Sequence, residues 1–469
     1  MKVLLLNPPY PKRVMRRWVA SYHAPNFLNP PLELMGLGAI LRRWKGRDDV
    51  RLIDAIALGW DEARVQAEIA RDQPGLLVTL AGFNTFPRDL ACLNRIAARF
   101  PALRIALFGY LPTQFPDQVL DRSRVHYVIR DEPELVFSEL YDALLAGRGD
   151  LSGVRGLAWK DAAGGIHVNP ERGRQAELDA LPFADHSLVP LELYNESYLE
   201  RPIGTIMSER GCPYRCNYCV RTFGEKLYSR SAESILAEIE ALRRDHGIRN
   251  LRFMDDTFTL NRARTLRLCE GLVERGLDVA WTCLTRVDTV DAELLAAMKR
   301  AGCRRMYVGV ESGSQRVLDY YKKGLTLDKI RRQMAVIRDS GVECSVFFIV
   351  GAPIETDDDV AASIALACEL DLDYVIVTKT QYWPGTGLFA ETGEQVDFDP
   401  FTERELVYRP PNYDRVEAWQ RRFYREFYFR PRYFAKRFGT LLRSPRDTLV
   451  GFGKLVAYTF GPRTSDDFI

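Results

Sequence analysis

Long apolar runs are missing from this chain: no window holds the roughly 18 consecutive apolar residues that a helix needs to cross a bilayer. The apolar start, Met1-Lys-Val-Leu-Leu-Leu, is stopped by Pro8 and Pro9, too early for a secretory signal. Neither sign of charge dominates. Lys and Arg number 65 against 63 Asp and Glu, a net charge of +2, so no global field argues for nucleic acid. Histidine is scarce, with five in 469 residues, and internal repeats and low-complexity tracts are absent. Nine cysteines in a chain this long do not form a disulfide framework. These absences leave an ordinary globular chain, long enough for two or three domains and expected in a reducing cytoplasm.

Three of the nine cysteines are grouped. Cys212-Pro-Tyr-Arg-Cys216-Asn-Tyr-Cys219 has the spacing C-x3-C-x2-C, with Gly211 and Pro213 shaping the turn. Thiolates are soft ligands suited to iron–sulfur chemistry, and one tight loop can bring three of them to a cluster. A closed four-iron site wants four cysteines, so three leave one iron open to a substrate or cofactor. A zinc knuckle or three free thiols is the alternative, and it lacks a histidine or fourth cysteine at finger spacing. Cys92, Cys269, Cys283, Cys303, Cys344 and Cys368 lie among apolar neighbours and read as buried free thiols. The cysteine run resembles that of the radical S-adenosylmethionine (radical SAM) enzymes. The resemblance implies a 4Fe-4S cluster on Cys212, Cys216 and Cys219, with Tyr218 beside the adenine of SAM. It also implies an external electron donor of the flavodoxin or ferredoxin type.

Residues 1–150 alternate short apolar strands with helical segments, the pattern of a doubly wound, Rossmann-like parallel sheet. Its strand-end loops are Asn7-Pro8-Pro-Tyr-Pro, Ala81-Gly82-Phe83-Asn84-Thr85-Phe-Pro and Gly109-Tyr110-Leu-Pro112-Thr113. Such a domain, opening on Asn-Pro-Pro ahead of a radical SAM core, resembles the cobalamin-binding subfamily. The Pro-Pro-Leu-Glu-Leu-Met-Gly-Leu-Gly and Arg-Leu-Ile-Asp segments add to the likeness. Cobalamin contacts are accordingly expected at Asn7, Pro8, Gly82, Phe83, Asn84, Thr85, Gly109, Tyr110, Pro112 and Thr113; an empty, structural domain is the alternative. Two positions depart from the subfamily: Gly109-Tyr110 replaces paired glycines, and Arg130-Asp-Glu-Pro-Glu134 replaces a Gly-Glu-Gly-Glu turn. A tyrosine there narrows the space for a nucleotide tail. None of His23, His126, His167, His186 or His246 sits in a D-x-H-x-x-G motif, so no histidine ligand to cobalt is expected.

Residues 151–202 are Gly- and charge-rich and read as a linker, with a hairpin turn at Lys160-Asp-Ala-Ala-Gly-Gly165. Over 203–395, repeated strand–helix units predict a partial TIM-type (β/α)6 barrel with its site at the carboxyl ends of the strands. The radical SAM resemblance extends to those ends. It places SAM contacts at Asp255, Asp256, Arg286, Glu311, Ser312 and Gly351. For Asp255 and Asp256 the plain alternative is an acidic turn or helix cap for one of the pair; for Arg286 it is an ion pair with Asp288. Residues 396–469 form a helical, basic and aromatic segment. It reads as a lid on the barrel or as a helix lying on a membrane surface.

Together these readings predict a cobalamin-dependent methylation of an unactivated carbon in a large, partly apolar small molecule, a tetrapyrrole or polycyclic lipid. Oxidative cyclisation or ring contraction by the same radical is the first alternative, and a non-catalytic cobalamin or redox sensor the second. A methylthiotransferase would need three further cysteines in the first domain, which holds only Cys92. The location expected is cytoplasmic, with peripheral contact at the inner membrane face.

Overall fold

The structure is a computed structural model that describes all residues except 19–20, 24–26, 176, 197–198, 393–400, 402–412, 436–452, 454–455 and 457–469. Strand β1 (Val3–Asn7) is buried along its whole length, as a continuous apolar run in a parallel sheet should be. After a short hairpin of β2 (Val14–Arg16) and β3 (Ser21–His23) come β4 (Val50–Asp54), β5 (Leu76–Leu80), β6 (Arg104–Phe108) and β7 (Tyr127–Ile129). The five strands align in the order β4-β1-β5-β6-β7, every neighbouring pair parallel. Side chains alternate across β1, so Leu5 packs with Leu37, Ile40 and Leu140 on one face, while Leu6 packs with Ile69, Leu93 and Ile96 on the other. Helices therefore cover both faces, the doubly wound arrangement that the alternation predicts.

The stretch 151–202, read as a linker, contributes to this sheet. β8 (Leu157–Lys160) and β9 (Ile166–Val168) add antiparallel to β7. Their turn forms because the Asp161 carboxylate accepts from the amides of Ala163 and Gly165 at 2.9 and 2.8 Å. Short strands with exposed outer residues carry too weak an alternation to be recognised before the sheet is assembled. The rest of the stretch runs back along the protein, and His186 ties it down: its Nε2 accepts from the Thr205 amide at 3.2 Å.

The second sheet, β10 (Ile203–Ile206), β13 (Asn250–Phe253), β14 (Ala280–Arg286), β15 (Cys303–Glu311), β16 (Glu343–Val350) and β17 (Tyr374–Lys379), is wholly parallel in that order. A two-stranded ribbon, β11 (Glu209–Arg210) with β12 (Tyr228–Ser229), brackets the cysteine loop. Ser231, Asn261, Asp291, Thr326 and Thr356 each cap the helix that follows, so every long connection turns cleanly from loop into helix.

The helix Tyr413–Tyr428 closes the open edge of this sheet. Its Val416, Trp419, Phe423 and Phe427 enter the barrel core. Its Tyr424 and Tyr428 hydroxyls each accept an edge amide, Val377 and Val375, at 3.0 Å. The apolar side of this helix is thus buried against protein, which decides for the lid over 413–428; the remaining basic and aromatic residues, 436–469, lie almost wholly outside the described ones. Among the described residues no helix is long and apolar enough to cross a membrane.

Candidate active site

The cysteine loop follows the first barrel strand and is held in place by its backbone. Gly211 sits at φ +90°, and a Cβ there would meet the Lys226 carbonyl oxygen at 2.1 Å, so no other residue fits the turn. The Cys212 amide bonds to the Gly224 carbonyl at 3.1 Å, and the Cys219 amide to the Cys216 carbonyl at 3.2 Å. Asn217 fastens the far side: its amide reaches the Tyr321 carbonyl at 3.1 Å and its Nδ2 the Tyr320 carbonyl at 2.9 Å. Cys212 and Cys216 are half-buried and Cys219 is exposed, all as free thiols.

Burial pushes the Cys212 and Cys219 thiols up, and the Asp256 carboxylate and the other thiols push further in the same direction. Burial and nearby negative charge disfavour the thiolate at Cys212 and Cys219, and a cationic iron cluster offsets both by binding the thiolate. Among the described residues no three such side chains converge as they would on a single ion. Three soft sulfur donors on one tight loop are the donor set that a four-iron cluster with one open iron takes, so the chemistry of these residues fits the cluster.

The strand ends around this loop divide into side chains with internal partners and side chains facing the cleft. Asp255 is engaged internally: its carboxylate accepts from the Ser208 and Glu209 amides at 2.6 and 2.8 Å and from the Ser208 hydroxyl at 2.6 Å. It holds the chain as β10 turns toward the cysteines. Its neighbour Asp256 is exposed, interacts electrostatically with Cys212 and Cys219, and is pushed up to about 6 by desolvation. Ser312 is buried against the Ser363 hydroxyl at 3.2 Å, away from the cleft. Gly351 has φ +103°, and a Cβ there would meet Val416 at 2.9 Å, so packing of the lid helix explains its lack of a side chain.

Arg286 forms the ion pair with Asp288 that the sequence offered as the alternative to a SAM contact. Its Nε donates to Asp288 at 3.0 Å, its guanidinium stacks 3.5 Å from the Tyr214 ring centroid, and one terminal nitrogen lies 3.8 Å from the Cys216 sulfur. Glu311 accepts from the buried Lys323 ammonium at 2.6 Å and faces Tyr218, whose phenol is pushed up by burial and by that carboxylate. Glu311 also adopts φ +74°, a left-handed backbone that stores on the order of 1–3 kcal/mol and clusters at ligand sites. Lys323 had no sequence signal, being the second of two lysines in a loop twelve residues beyond its partner. Arg264 was also unmarked. It lies fully buried, donating to the Ser208 carbonyl and hydroxyl at 3.1 and 2.8 Å and pairing with Glu209 at 3.1 Å.

The edge of the first sheet meets this mouth. Arg210, two residues before Cys212, pairs with Glu132 at 2.7 Å and Glu134 at 2.6 Å, the acids of the turn that departs from the subfamily pattern. Phe83 packs on Trp383 at 5.6 Å, and the Tyr110 hydroxyl donates to the Pro384 carbonyl. Of the other residues expected at cobalamin, Asn7 bonds to Asp54 at 2.8 Å and Arg16 at 2.9 Å, and Thr85 bonds to Asp89 at 2.6 Å. Thr113 accepts from the Asp131 amide at 3.1 Å, and a Cβ on Gly109 would strike the Ala81 carbonyl at 2.3 Å. These shape the edge. Pro8, Gly82 and Pro112 are buried and Asn84 half-buried there. Among the described residues, the buried polar atoms without a protein partner include Trp383 Nε1 and Asn217 Oδ1 near this mouth.

Comparison with known proteins agrees with this geometry. The Radical SAM superfamily profile matches residues 207–367. An uncharacterized methyltransferase of Pyrococcus horikoshii is 30% identical over 447 residues, spanning 93% of this chain and 94% of that protein. The chain belongs to the radical SAM superfamily. The anaerobic magnesium-protoporphyrin IX monomethyl ester cyclase of Rubrivivax gelatinosus is 26% identical over 442 residues, 91% of this chain and 77% of that one. The radical SAM methyltransferase TsrM of Kitasatospora setae, solved with cobalamin and a 4Fe-4S cluster, superposes with TM-score 0.66 at 21% identity. It matches over 84% of this chain and 75% of its own. OxsB, a cobalamin-dependent SAM radical enzyme, superposes with TM-score 0.64 at 19% identity, over 83% and 54%. At such identities the superpositions establish a shared fold, and this radical SAM enzyme has it from the first sheet through the barrel.

Proposed function

We propose that this radical SAM enzyme is a cobalamin-dependent methyltransferase acting on an unactivated carbon of a large, partly apolar small molecule. The observation that carries the reading is the contact of Tyr110 with Pro384. It seats the carboxyl ends of the first sheet on the barrel mouth, where the Tyr110 phenol is pushed up to about 12 by burial and by nearby Cys219. A cofactor on that edge would lie beside the cysteine loop. The full-length likeness to a named methyltransferase supports the reaction, and two structural neighbours described with cobalamin support the cofactor.

When bound, the cluster and SAM supply a carbon-centred radical and cobalamin a transferable methyl group. The chain's own residues hold and orient. Cys212, Cys216 and Cys219 are the cluster ligands in this reading. Asp256 accepts the SAM ammonium, the role that Asp255 cannot fill while its oxygens serve Ser208 and Glu209. Tyr218 flanks the adenine, and Glu311, set by Lys323, faces the rest of the nucleoside. Arg286, with one terminal nitrogen 3.8 Å from the Cys216 sulfur, lies beside the cluster ligands. Trp383 Nε1 and Asn217 Oδ1 await polar atoms of the bound molecules. An external flavodoxin- or ferredoxin-type protein delivers the electron.

Anaerobic purification with cobalamin supplied tests the reading through the optical spectrum and metal analysis. Iron, sulfide and corrinoid should be retained together, and turnover should release both 5′-deoxyadenosine and S-adenosylhomocysteine. A preparation that holds the cluster and cleaves SAM but retains no corrinoid would defeat it. The likeness to the Rubrivivax cyclase favours a second reading, oxidative cyclisation of a tetrapyrrole. A product without an added methyl group would decide for it.

A further inference from the structure

Side chains alternate along the barrel strands, so one set meets the outer helices and the other faces the lumen. On β15, β16 and β17 the outer set includes Val308, Val310, Val346, Phe348, Val375 and Val377, all in the core under the helices. The inner set includes Gly309, Phe347 and Ile376, which stand side by side in register across the three strands. All three are half-buried, although the residues before and after each of them are buried. Inner residues left half-open in the middle of a parallel sheet mark unfilled space, here an apolar shelf in the lumen.

The shelf lies close to the cysteine loop. Ile349, the next inward residue of β16, belongs to the cluster that Tyr218 packs against. Phe347 is two residues below it, about 7 Å deeper by the rise of a strand. In register with Gly309 on β14 stands Arg286, the residue beside the Cys216 sulfur.

The floor is rigid. The Tyr307 ring lies 6.2 Å from that of Phe347, its hydroxyl donates to Glu196 at 3.2 Å, and the Arg252 guanidinium lies 4.8 Å from its ring and pairs with Glu196. Phe347 is thus backed from below and need not reorganise when a ligand rests on it. A Cβ at Gly309 would meet Glu311 Oε1 at 2.3 Å, so the shelf keeps a gap beside the Phe347 ring.

The charges bordering the shelf are paired: Arg286 with Asp288 at 3.0 Å, Lys323 with Glu311 at 2.6 Å, and Arg252 with Glu196. A charged group placed there would break one of these pairs or stay uncompensated. An uncharged ring gains apolar and ring–ring contact instead.

We infer, on the reading that the cysteine loop is the reaction centre, that the substrate presents an uncharged ring to it. The ring is seated on Phe347 between Gly309 and Ile376, and Phe347 selects which rings fit.

Photolabelling of the full-length, cluster-loaded protein tests this, with benzophenone as neutral probe and 4-benzoylbenzoate and 4-(aminomethyl)benzophenone as its anionic and cationic counterparts. Irradiation fixes each probe to nearby C–H groups, so peptide mass spectrometry reports where it sat. Benzophenone should label β15–β17 and half-saturate at a concentration at least about tenfold lower than either ion. F347A should raise that concentration about tenfold, and F347L, which keeps an apolar side chain but loses the flat face, should raise it less, with iron content unchanged in both. Labels confined to peptides outside 303–379, an ion that binds as tightly as benzophenone, or unaltered labelling of a folded F347A protein would overturn it. Neither SAM cleavage nor corrinoid retention is read, so the methyl-transfer reading and this one fail separately.

Discussion

Gly211 shows how little latitude the cysteine loop has. Its backbone is left-handed and the space where a Cβ would sit is filled by the Lys226 carbonyl. Substituting alanine adds strain of roughly 1–3 kcal/mol before the clash is counted. We expect G211A to be recovered with less than half the wild-type iron per chain after reconstitution, and wild-type iron content would contradict the geometry. The cysteines were legible in the sequence because their ligand spacing is local. Asp255 and Asp256 were legible as a pair, but adjacent residues point to opposite sides of a strand end, so only packing tells the structural acid from the accessible one. Lys323 and Arg264 were illegible for a related reason. Each gains its role from a partner on another strand or loop.

At the scale of elements, the lid helix is explained by the edge it covers. An open parallel edge presents unpaired amides, and natural sheets protect such edges. Here two tyrosine hydroxyls and the Gln420 side chain, which donates to the Val377 carbonyl at 2.6 Å, replace the missing strand. Y424F/Y428F should destabilise the protein by about 2–6 kcal/mol in denaturant titrations, since it orphans two amides at about 1–3 kcal/mol each. A loss under 0.5 kcal/mol would mean that water replaces the hydroxyls; that threshold is of the order of a single weak surface contact.

His186 does the same service for the returning stretch before β10. Burial lowers its imidazole from 6.5 to about 4. The unfolded chain therefore takes up a proton near pH 6.5 that the folded chain refuses until about pH 4. The unfolded state binds the extra proton across this window, so stability falls as pH falls, by up to about 1.4 kcal/mol per unit, and levels off below it. H186Q should flatten that slope in thermal melts recorded between these limits. An unchanged slope would place the acid sensitivity elsewhere.

On the whole-molecule scale, Arg210 joins the two sheets. Its guanidinium is buried between Glu132 and Glu134 and stacks 5.0 Å from the Phe223 ring, while Phe223 also packs on Trp18 at 6.4 Å. Removing one partner of a buried ion cluster leaves the others uncompensated, at about 3–5 kcal/mol. R210A should therefore lower the melting temperature and shed iron faster on dilution into chelator. Adding E132Q/E134Q should recover part of the stability, because the orphaned charges go with it. If the triple variant is no more stable than R210A, the clamp is not what couples sheet and loop. The departure of this turn from the glycine-rich pattern thus gains a physical role, carboxylates that hold the loop carrying Cys212.

The sequence by itself determined what depends on neighbours along the chain. Cysteine spacing specified the iron–sulfur loop, and unbroken apolar runs alternating with helical stretches specified buried parallel strands with helices between them. Tertiary structure decided what depends on residues distant in sequence: which aspartate faces the cysteines, which glycine serves packing, and that the supposed linker completes a sheet. It also decided that the aromatic, basic helix Tyr413–Tyr428 covers a barrel edge. The reason is the same throughout. Periodicity and spacing encode local geometry, whereas a buried charge or an unpaired amide acquires its partner only when two distant segments meet.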